Sequence, residues 1–193
     1  MKNTFGLNGG VKLGCRRNAS GVPYLSSQLF SPPVHLSKPY FDEDTGSLLV
    51  NLSCPTAGLL AGDRMVCDIE ISDEASMVVT TPGATRSHFM RSGIARVEQR
   101  LKIKEGSFLE FNPGALILQK ATNLEQISEV EIDEDAEILF VEKILPGRIA
   151  HGESFVFQKF SNQLRIKREN QLVLLESFVL NPLTESTLPW KSS

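Results

Sequence analysis

The chain has 193 residues, of which 41% are hydrophobic, and a formal net charge of −3. These values fit a single domain with a packed core. They argue against global disorder and against nucleic-acid binding, which requires an excess of positive charge. The sequence has no run of about 18 apolar residues that would indicate a membrane span. The three cysteines are too widely spaced for a disulfide framework, which favours a cytoplasmic protein with reduced thiols.

The N-terminal part of the chain predicts little regular structure. Residues 31–41, SPPVHLSKPYF, predict an extended lead-in that Pro39 restricts to the edge of a sheet. The polar tail NPLTESTLPWKSS, residues 181–193, is typical of a chain end that frays. We therefore predict one domain over residues 1–193, in which residues 1–30 and 181–193 are poorly ordered.

Three stretches further along alternate between apolar and polar residues at every second position. They are CDIEI at residues 67–71, RLKIK at residues 100–104 and EVEID at residues 129–133. This pattern predicts strands that are buried on one face only, and it is typical of antiparallel sheets.

These strands begin three similar units, in which an isoleucine is followed by a short turn, a second apolar strand and a Pro-Gly pair. The isoleucines, Ile71, Ile103 and Ile132, lie 32 and 29 residues apart. The repeat predicts a mainly β fold whose sheets are layered, either β-solenoid-like or sandwich-like. The Pro-Gly pairs would then lie along one edge, unless each is only a turn.

Helices are predicted at two places at most. Residues 88–101 and residues 122–130 are candidates for one or two short helices, although Gly93 interrupts the first.

The glycine-rich stretch SCPTAGLLAGDRM, residues 53–65, ends in Asp63 before a strand. It lacks the Gly-Lys-Ser/Thr of a phosphate-binding loop and the G-x-G-x-x-G of a dinucleotide site. Its glycines allow tight turns and close backbone approach. An aspartate in this position is most simply a turn residue whose carboxylate accepts hydrogen bonds from local amides.

The segment PGRIAHGESF, residues 146–155, places Arg148, His151 and Glu153 among small residues. Arg148 and Glu153 form either a structural ion pair or part of a functional site. His151 alone is most simply a surface histidine.

The sequence does not decide whether the chain binds a metal ion. The chain has no C-x-x-C, H-x-x-x-H or H-E-x-x-H pair, so a preformed zinc site is not expected. Scattered side chains could still offer weak ligation, and they are His88, His151 and Cys67 together with Asp63, Glu110, Glu142 and Glu153.

Four motifs follow one another as CPTAGLLAGDRM, VVTTPGATR, FLEFNPGALILQKA and LPGRIAHGESF. This order resembles the UreD/UreH family of urease accessory proteins over residues 32–180. The chain departs from the family pattern at Ala57 and Gly114, and it is shorter at its C-terminal end, so we expect a domain truncated there. The residues that match the family motifs are Pro55, Gly58, Gly62 and Asp63; Thr80, Thr81, Pro82, Ala84, Thr85 and Arg86; Leu109, Glu110, Phe111, Pro113 and Ile117; and Gly147, Arg148, Ala150, Gly152, Glu153 and Phe155.

The resemblance implies a nickel-insertion scaffold, a metallochaperone, and not an enzyme. Such a protein bridges urease apoprotein and the urease accessory proteins F and G, with no nucleic-acid or membrane partner. Ni²⁺ crosses it transiently through an internal path, and no cofactor is held tightly. A weak carboxylate site suits such a transfer, because a tight soft site would trap the ion.

Within this interpretation, four residues are candidates for lining or gating the path, and they are Asp63, Glu153, Arg148 and Glu110. The remaining motif residues have structural roles, and they are Gly58, Gly62, Pro82, Thr85, Arg86, Pro113, Gly147 and Gly152. Two other functions stay open: a β-rich protein-interaction module with no metal role, and a small hydrolase or lyase that uses His151 and Glu153.

Overall fold

The computed structural model describes residues 7–182. In this part of the chain nearly all regular structure is strand, and the single helix is a 3₁₀ turn at Ile149–His151. The strands are β1 Asn8–Arg17, β2 Pro23–Ser31, β3 His35–Leu36, β4 Tyr40–Asp42, β5 Ser47–Ser53, β6 Arg64–Ile71, β7 Ser76–Thr80, β8 Thr85–Ser87, β9 Ala95–Ile103, β10 Phe108–Asn112, β11 Leu116–Leu118, β12 Asn123–Ile132, β13 Glu137–Phe140, β14 Ile144–Leu145, β15 Lys159–Arg168 and β16 Gln171–Leu180.

The strands form three sheets in a solenoid-like stack. One sheet has the order β16-β15-β12-β9-β6-β1-β2, the second β13-β10-β7-β5-β3 with β4 beside β5, and the third β14-β11-β8. Each coil contributes one strand to each sheet: β6-β7-β8, then β9-β10-β11, then β12-β13-β14. The prediction of a mainly β, solenoid-like fold is confirmed.

Equivalent strands of successive coils run parallel, so the expectation of antiparallel sheets is wrong for the repeats. In the described residues, antiparallel pairs occur at β1–β2, β15–β16, β3–β5 and β4–β5. Alternation at every second residue reports one buried face and carries no information about strand direction. The direction follows instead from the repeat, because a coil of about 30 residues returns the chain to its starting edge.

The register of the coils is the one that the isoleucines predict. Ile71 of β6 lies opposite Ile103 of β9, which lies opposite Ile132 of β12. All three side chains are buried, and they pack between the seven-stranded and six-stranded sheets. A second cluster beside the three-stranded sheet is built around Phe157 and Phe160, which are 0% exposed.

The two predicted helices are strands. The first overlaps β9 and the second overlaps β12, while the one short helix lies elsewhere. Gly93 has a φ of 90°, which ends any helix before β9. From Ala95 onward every second side chain points inward. The parallel neighbours on both sides of β9 also supply backbone hydrogen bonds that a helix in this place could not form.

The N-terminal residues also differ from expectation. Residues 8–31 contain strands β1 and β2, although residues 1–30 were expected to be poorly ordered. Val11, Leu13 and Cys15 alternate into the core, and β1 pairs in parallel with β6. Residues 1–6 and 183–193 lie outside the described part of the chain. Within the described part, no helix is long and apolar enough to cross a membrane.

Candidate functional site

The segments that follow the first two Pro-Gly pairs are neighbours, as the repeat predicts, but the third pair, Pro146-Gly147, comes after the equivalent strand β14 and not before it. Leu116 of β11 lies between Thr85 of β8 and Ile144 of β14. The corners also touch, since the Gly114 amide donates a hydrogen bond of 2.5 Å to the Thr81 side chain at Oγ1. A Cβ atom at Gly114 would lie 2.1 Å from the Gly83 carbonyl oxygen, so this corner requires glycine.

Asp63 is buried and fully engaged in a turn. Its Oδ1 accepts a hydrogen bond from the Leu7 amide and its Oδ2 accepts one from the Leu60 amide, both at 2.8 Å. Its side chain ties residue 7 to the glycine-rich loop and does not line either cavity described below. The geometry favours the turn interpretation of Asp63 over a gate.

Arg148 and Glu153 form a bidentate ion pair. Arg148 Nε donates to Glu153 Oε2 at 2.8 Å, and Arg148 Nη2 donates to Oε1 at 2.5 Å. These hydrogen bonds, followed by the charge of the guanidinium, hold the pKa of Glu153 below its ordinary value. Both carboxylate oxygens are therefore occupied, and the pair closes the loop between β14 and β15.

Gly147 and Gly152 allow this loop to close. Gly147 is buried with a φ of 149°, and a Cβ atom there would lie 2.5 Å from the Glu153 carbonyl oxygen. Gly152 has a φ of 72° and ends the 3₁₀ turn in the left-handed conformation that favours glycine.

The other predicted metal ligands lie apart from one another. Glu110 lies on the outer face of the six-stranded sheet, where it accepts a hydrogen bond from Asn112. His88 Nε2 lies 2.5 Å from the Ala57 carbonyl oxygen, and His151 is exposed. Cys67 faces the interior, where burial raises its thiol pKa to about 12. Among residues 7–182, no three His, Cys, Asp or Glu side chains form a group that could hold a metal ion.

Several structural motif residues meet around a cavity that is partly open to solvent. This cavity has a volume of about 430 Å³ and lies between β6 and β9 of the seven-stranded sheet, β5 and β7 of the six-stranded sheet, and the corner loops. Its lining includes Gly58, Pro82, Thr85, Arg86 and Pro113, together with Cys67 and Gln99. Gly58, with a φ of 133°, permits the close approach of two corner loops, because a Cβ atom there would lie 2.2 Å from the Arg86 carbonyl oxygen. Gly62, with a φ of 91°, donates its amide to Ile94 O at 2.9 Å and lies outside the lining.

A second, smaller cavity of about 90 Å³ adjoins the first and extends towards Glu142. The two cavities share Thr85, Val97, Gln99 and Pro113. The smaller one adds Gln126 and Glu142 to the lining. Together they form a partly open pocket, which we call the route, that leads from apolar walls to the Glu142 carboxylate.

Polar side chains occupy inward positions along this route, where a solenoid core normally carries apolar ones. Gln99 accepts a hydrogen bond of 2.8 Å from Ser128 Oγ on the neighbouring strand. Gln126 and Asn162 are ladder neighbours on β12 and β15, and both donate to Glu142, at 2.5 Å and 3.0 Å. Asn162 Oδ1 is buried and has no hydrogen-bond partner within the described residues. We call Glu142, Gln126 and Asn162 the interior carboxylate site.

The surroundings of Glu142 shift the pKa of its carboxyl group. Burial raises the Glu142 pKa above its ordinary value, and the charge of Glu176 also raises it. The hydrogen bonds from Asn162 and Gln126 act in the opposite direction. Sequence reasoning named Glu142 only among scattered carboxylates and missed Gln99, Gln126 and Asn162. The available signal was a polar residue at an inward position of three successive strands.

Comparisons with known proteins agree on one family. A family model described as the UreD urease accessory protein matches residues 7–189. The chain is 36% identical over 168 residues to the urease accessory protein UreD of Opitutus terrae, an alignment that covers 87% of this chain and 62% of that protein. It is 28% identical over 180 residues to the urease accessory protein UreH of Helicobacter hepaticus, which covers 93% of this chain and 71% of the relative.

A third relative, the urease accessory protein UreD of Brucella suis, is 35% identical over 138 residues, which cover 72% of this chain and 50% of that protein. The chain therefore spans less than two thirds of the length of the Opitutus and Brucella proteins. The descriptions of the family and of the relatives name accessory proteins and not urease itself, in agreement with the expectation that this chain is not an enzyme.

Proposed function

Because the chain belongs to the UreD family of urease accessory proteins, we propose that it is a nickel-insertion scaffold whose interior passes Ni²⁺ towards urease apoprotein. Urease apoprotein and the accessory proteins F and G are its partners in this proposal, and the cytoplasm is where it works. The ion is cargo, held transiently and not as a resident cofactor.

The observation that carries the proposal is the interior carboxylate site at the end of the route. A carboxylate and an amide oxygen are hard ligands that bind a divalent ion weakly when few of them are present. Asn162 Oδ1 has no partner among the described residues, so it is available to an ion beside Glu142. Glu142 lines the smaller cavity, whereas Asp63 and Glu153 line neither cavity, so Glu142 replaces them as the proposed ligand on the path.

The alternative functions are less compatible with the geometry. A hydrolase that uses His151 and Glu153 needs a free carboxylate, but both Glu153 oxygens accept hydrogen bonds from Arg148. An interaction module with no metal role does not account for three buried polar side chains at inward positions beside a half-buried carboxylate.

A Glu142→Gln chain is expected to slow urease activation by about tenfold, the size of effect seen when groups around a metal site are removed. The test co-expresses the variant with urease apoprotein and the accessory proteins F and G. It measures the nickel content of urease and the initial rate of urea hydrolysis, with pull-down of the complex as a check on assembly. The matched control is Glu129→Gln, an exposed glutamate on the same strand as Gln126. Activation by Glu142→Gln at the wild-type rate would refute the path.

The raised pKa of Glu142 also predicts how stability depends on pH. A carboxyl group whose pKa is higher in the folded state favours folding below its unfolded pKa of about 4.3, and this contribution is lost as the pH rises through the folded value. The Glu142→Gln chain should therefore gain stability relative to wild type as the pH rises from the unfolded pKa through the raised folded pKa of Glu142. The side-chain NH₂ group that the Glu142→Gln substitution introduces still finds an acceptor, because Asn162 can rotate its amide and present Oδ1 to it. Urea unfolding at several pH values measures the difference, and a constant difference would contradict the raised pKa.

A further inference from the structure

Four loops stack along one corner of the solenoid. They are residues 58–63, 87–94, 119–122 and 146–158, and backbone hydrogen bonds join each to the next. The His88 amide donates to Leu59 O at 2.9 Å, the Met90 amide to Ala121 O at 3.3 Å, and the Ala121 amide to Val156 O at 2.9 Å. The corner is therefore one continuous surface.

This surface exposes large apolar side chains. Leu60 is 50% exposed, Phe89 is 56% exposed and Ile149 is 63% exposed, one on each of three loops. Exposed apolar side chains that recur along a fixed surface are characteristic of protein interaction sites.

The same loops and the adjoining strand β8 carry cations that have no acidic partner in a salt bridge within the described residues. Arg86, Arg91 and Lys120 are exposed, and none of the salt bridges found within residues 7–182 involves them. The acidic groups nearby are already occupied, because Arg148 pairs with Glu153 and backbone amides hold Asp63. The corner is thus positive in a chain whose net charge is −3.

We propose that this corner strip, defined by Leu60, Phe89, Ile149, Arg86, Arg91 and Lys120, is the docking surface for a partner protein with an acidic face. The partner would present carboxylates to the arginines and the lysine, around a recess that receives Phe89 and its apolar neighbours. The charge complementarity supplies specificity and a fast association rate, while the apolar side chains supply most of the affinity.

The position of the corner strip links it to the route. Arg86 belongs both to the strip and to the lining of the larger cavity, and the loop that carries Leu60 begins at Gly58 on the same lining. A protein docked here lies beside the cavity, where an ion can be exchanged. This part of the inference rests on the proposed function.

A nucleic acid or a membrane is a poorer occupant. Three unpaired cations neutralise few phosphates, whereas specific nucleic-acid binding involves about 6–10 phosphate contacts. The apolar side chains lie on separate loops fixed by backbone hydrogen bonds, which suits a shaped protein recess better than a fluid lipid surface.

The test measures binding of the purified full chain to urease apoprotein and, separately, to accessory protein F, at 0.1 M and 0.5 M NaCl. The variants are Arg91→Glu with Lys120→Glu, and Phe89→Ser. The matched control is Lys38→Glu with Lys167→Glu, which changes the charge equally at exposed positions away from the corner. Thermal unfolding verifies that all variants fold.

The double charge reversal is expected to weaken binding to one of the two partners by about 30-fold, because like charges then face each other. Phe89→Ser should weaken the same interaction, the control should not, and wild-type binding should weaken at 0.5 M NaCl. Unchanged binding of both variants to both partners would overturn the docking surface and leave the ion path standing. Binding of wild type to neither partner would overturn the partners assumed in the proposed function as well. Binding to RNA or to anionic vesicles that is lost in the variants would also overturn the assignment.

Discussion

An Asp63→Ala chain is expected to lose about 2–4 kcal/mol of unfolding free energy, because the substitution removes the acceptor of two hydrogen bonds. The Leu7 and Leu60 amides would lose the acceptor that now pairs them, at a site where the Asp63 side chain is only 5% exposed. The loss would loosen both the start of β1 and the glycine-rich loop beside the larger cavity. A gate residue on an ion path would instead impair transfer and leave stability nearly unchanged.

Urea unfolding followed by circular dichroism measures this loss. The control is Asp68→Ala, which removes a half-exposed ion pair with Lys12 at 3.5 Å and should change stability by about 1 kcal/mol or less. Asp63→Asn, which keeps one acceptor oxygen, should fall between wild type and Asp63→Ala. If Asp63→Ala is as stable as wild type but fails to activate urease, the gate interpretation of Asp63 is correct.

The sequence was sufficient to predict the part of the fold that the repeat forms. The spacing of Ile71, Ile103 and Ile132 gave the length of a coil, and these residues are ladder partners in the structure. Strand direction could not be predicted from alternation, since an antiparallel hairpin and a parallel coil both bury one face. The short helices were predicted wrongly because local preference outweighed the pairing that β9 and β12 obtain from neighbours distant in sequence.

The site was less predictable than the fold. Arg148 and Glu153 are close in sequence, so their ion pair was among the alternatives that the sequence allowed. Glu142 gains its significance from Gln126 and Asn162, which reach it only when β12 and β15 lie side by side. A list of carboxylates cannot separate Glu142 from Glu110, because the difference is one of position: Glu110 lies on the outer face of the six-stranded sheet, whereas Glu142 lies in the loop between β13 and β14, beside Gln126 and Asn162.

The three Pro-Gly pairs, which look alike in the sequence, provide the sharpest contrast in expected stability. Gly147→Ala should cost about 2–4 kcal/mol, since alanine is strained at a φ of 149° and its Cβ atom would lie 2.5 Å from the Glu153 carbonyl oxygen. The backbone cannot shift freely, because the ion pair to Arg148 holds Glu153 in place. Gly83→Ala is the matched control: an added Cβ meets no atom within 4 Å and the backbone φ is not positive.

Urea unfolding of the two variants measures this contrast, with Gly83→Ala expected within about 0.5 kcal/mol of wild type. An NMR titration gives a second readout. If Gly147→Ala displaces residue 153 from Arg148, the pKa of Glu153 should return upward towards its ordinary value, because the hydrogen bonds from the guanidinium are what lower it. Equal stability of the two variants would show that the loop accommodates a side chain at residue 147. The close approach of the backbone would then not be what places Arg148 and Glu153 together.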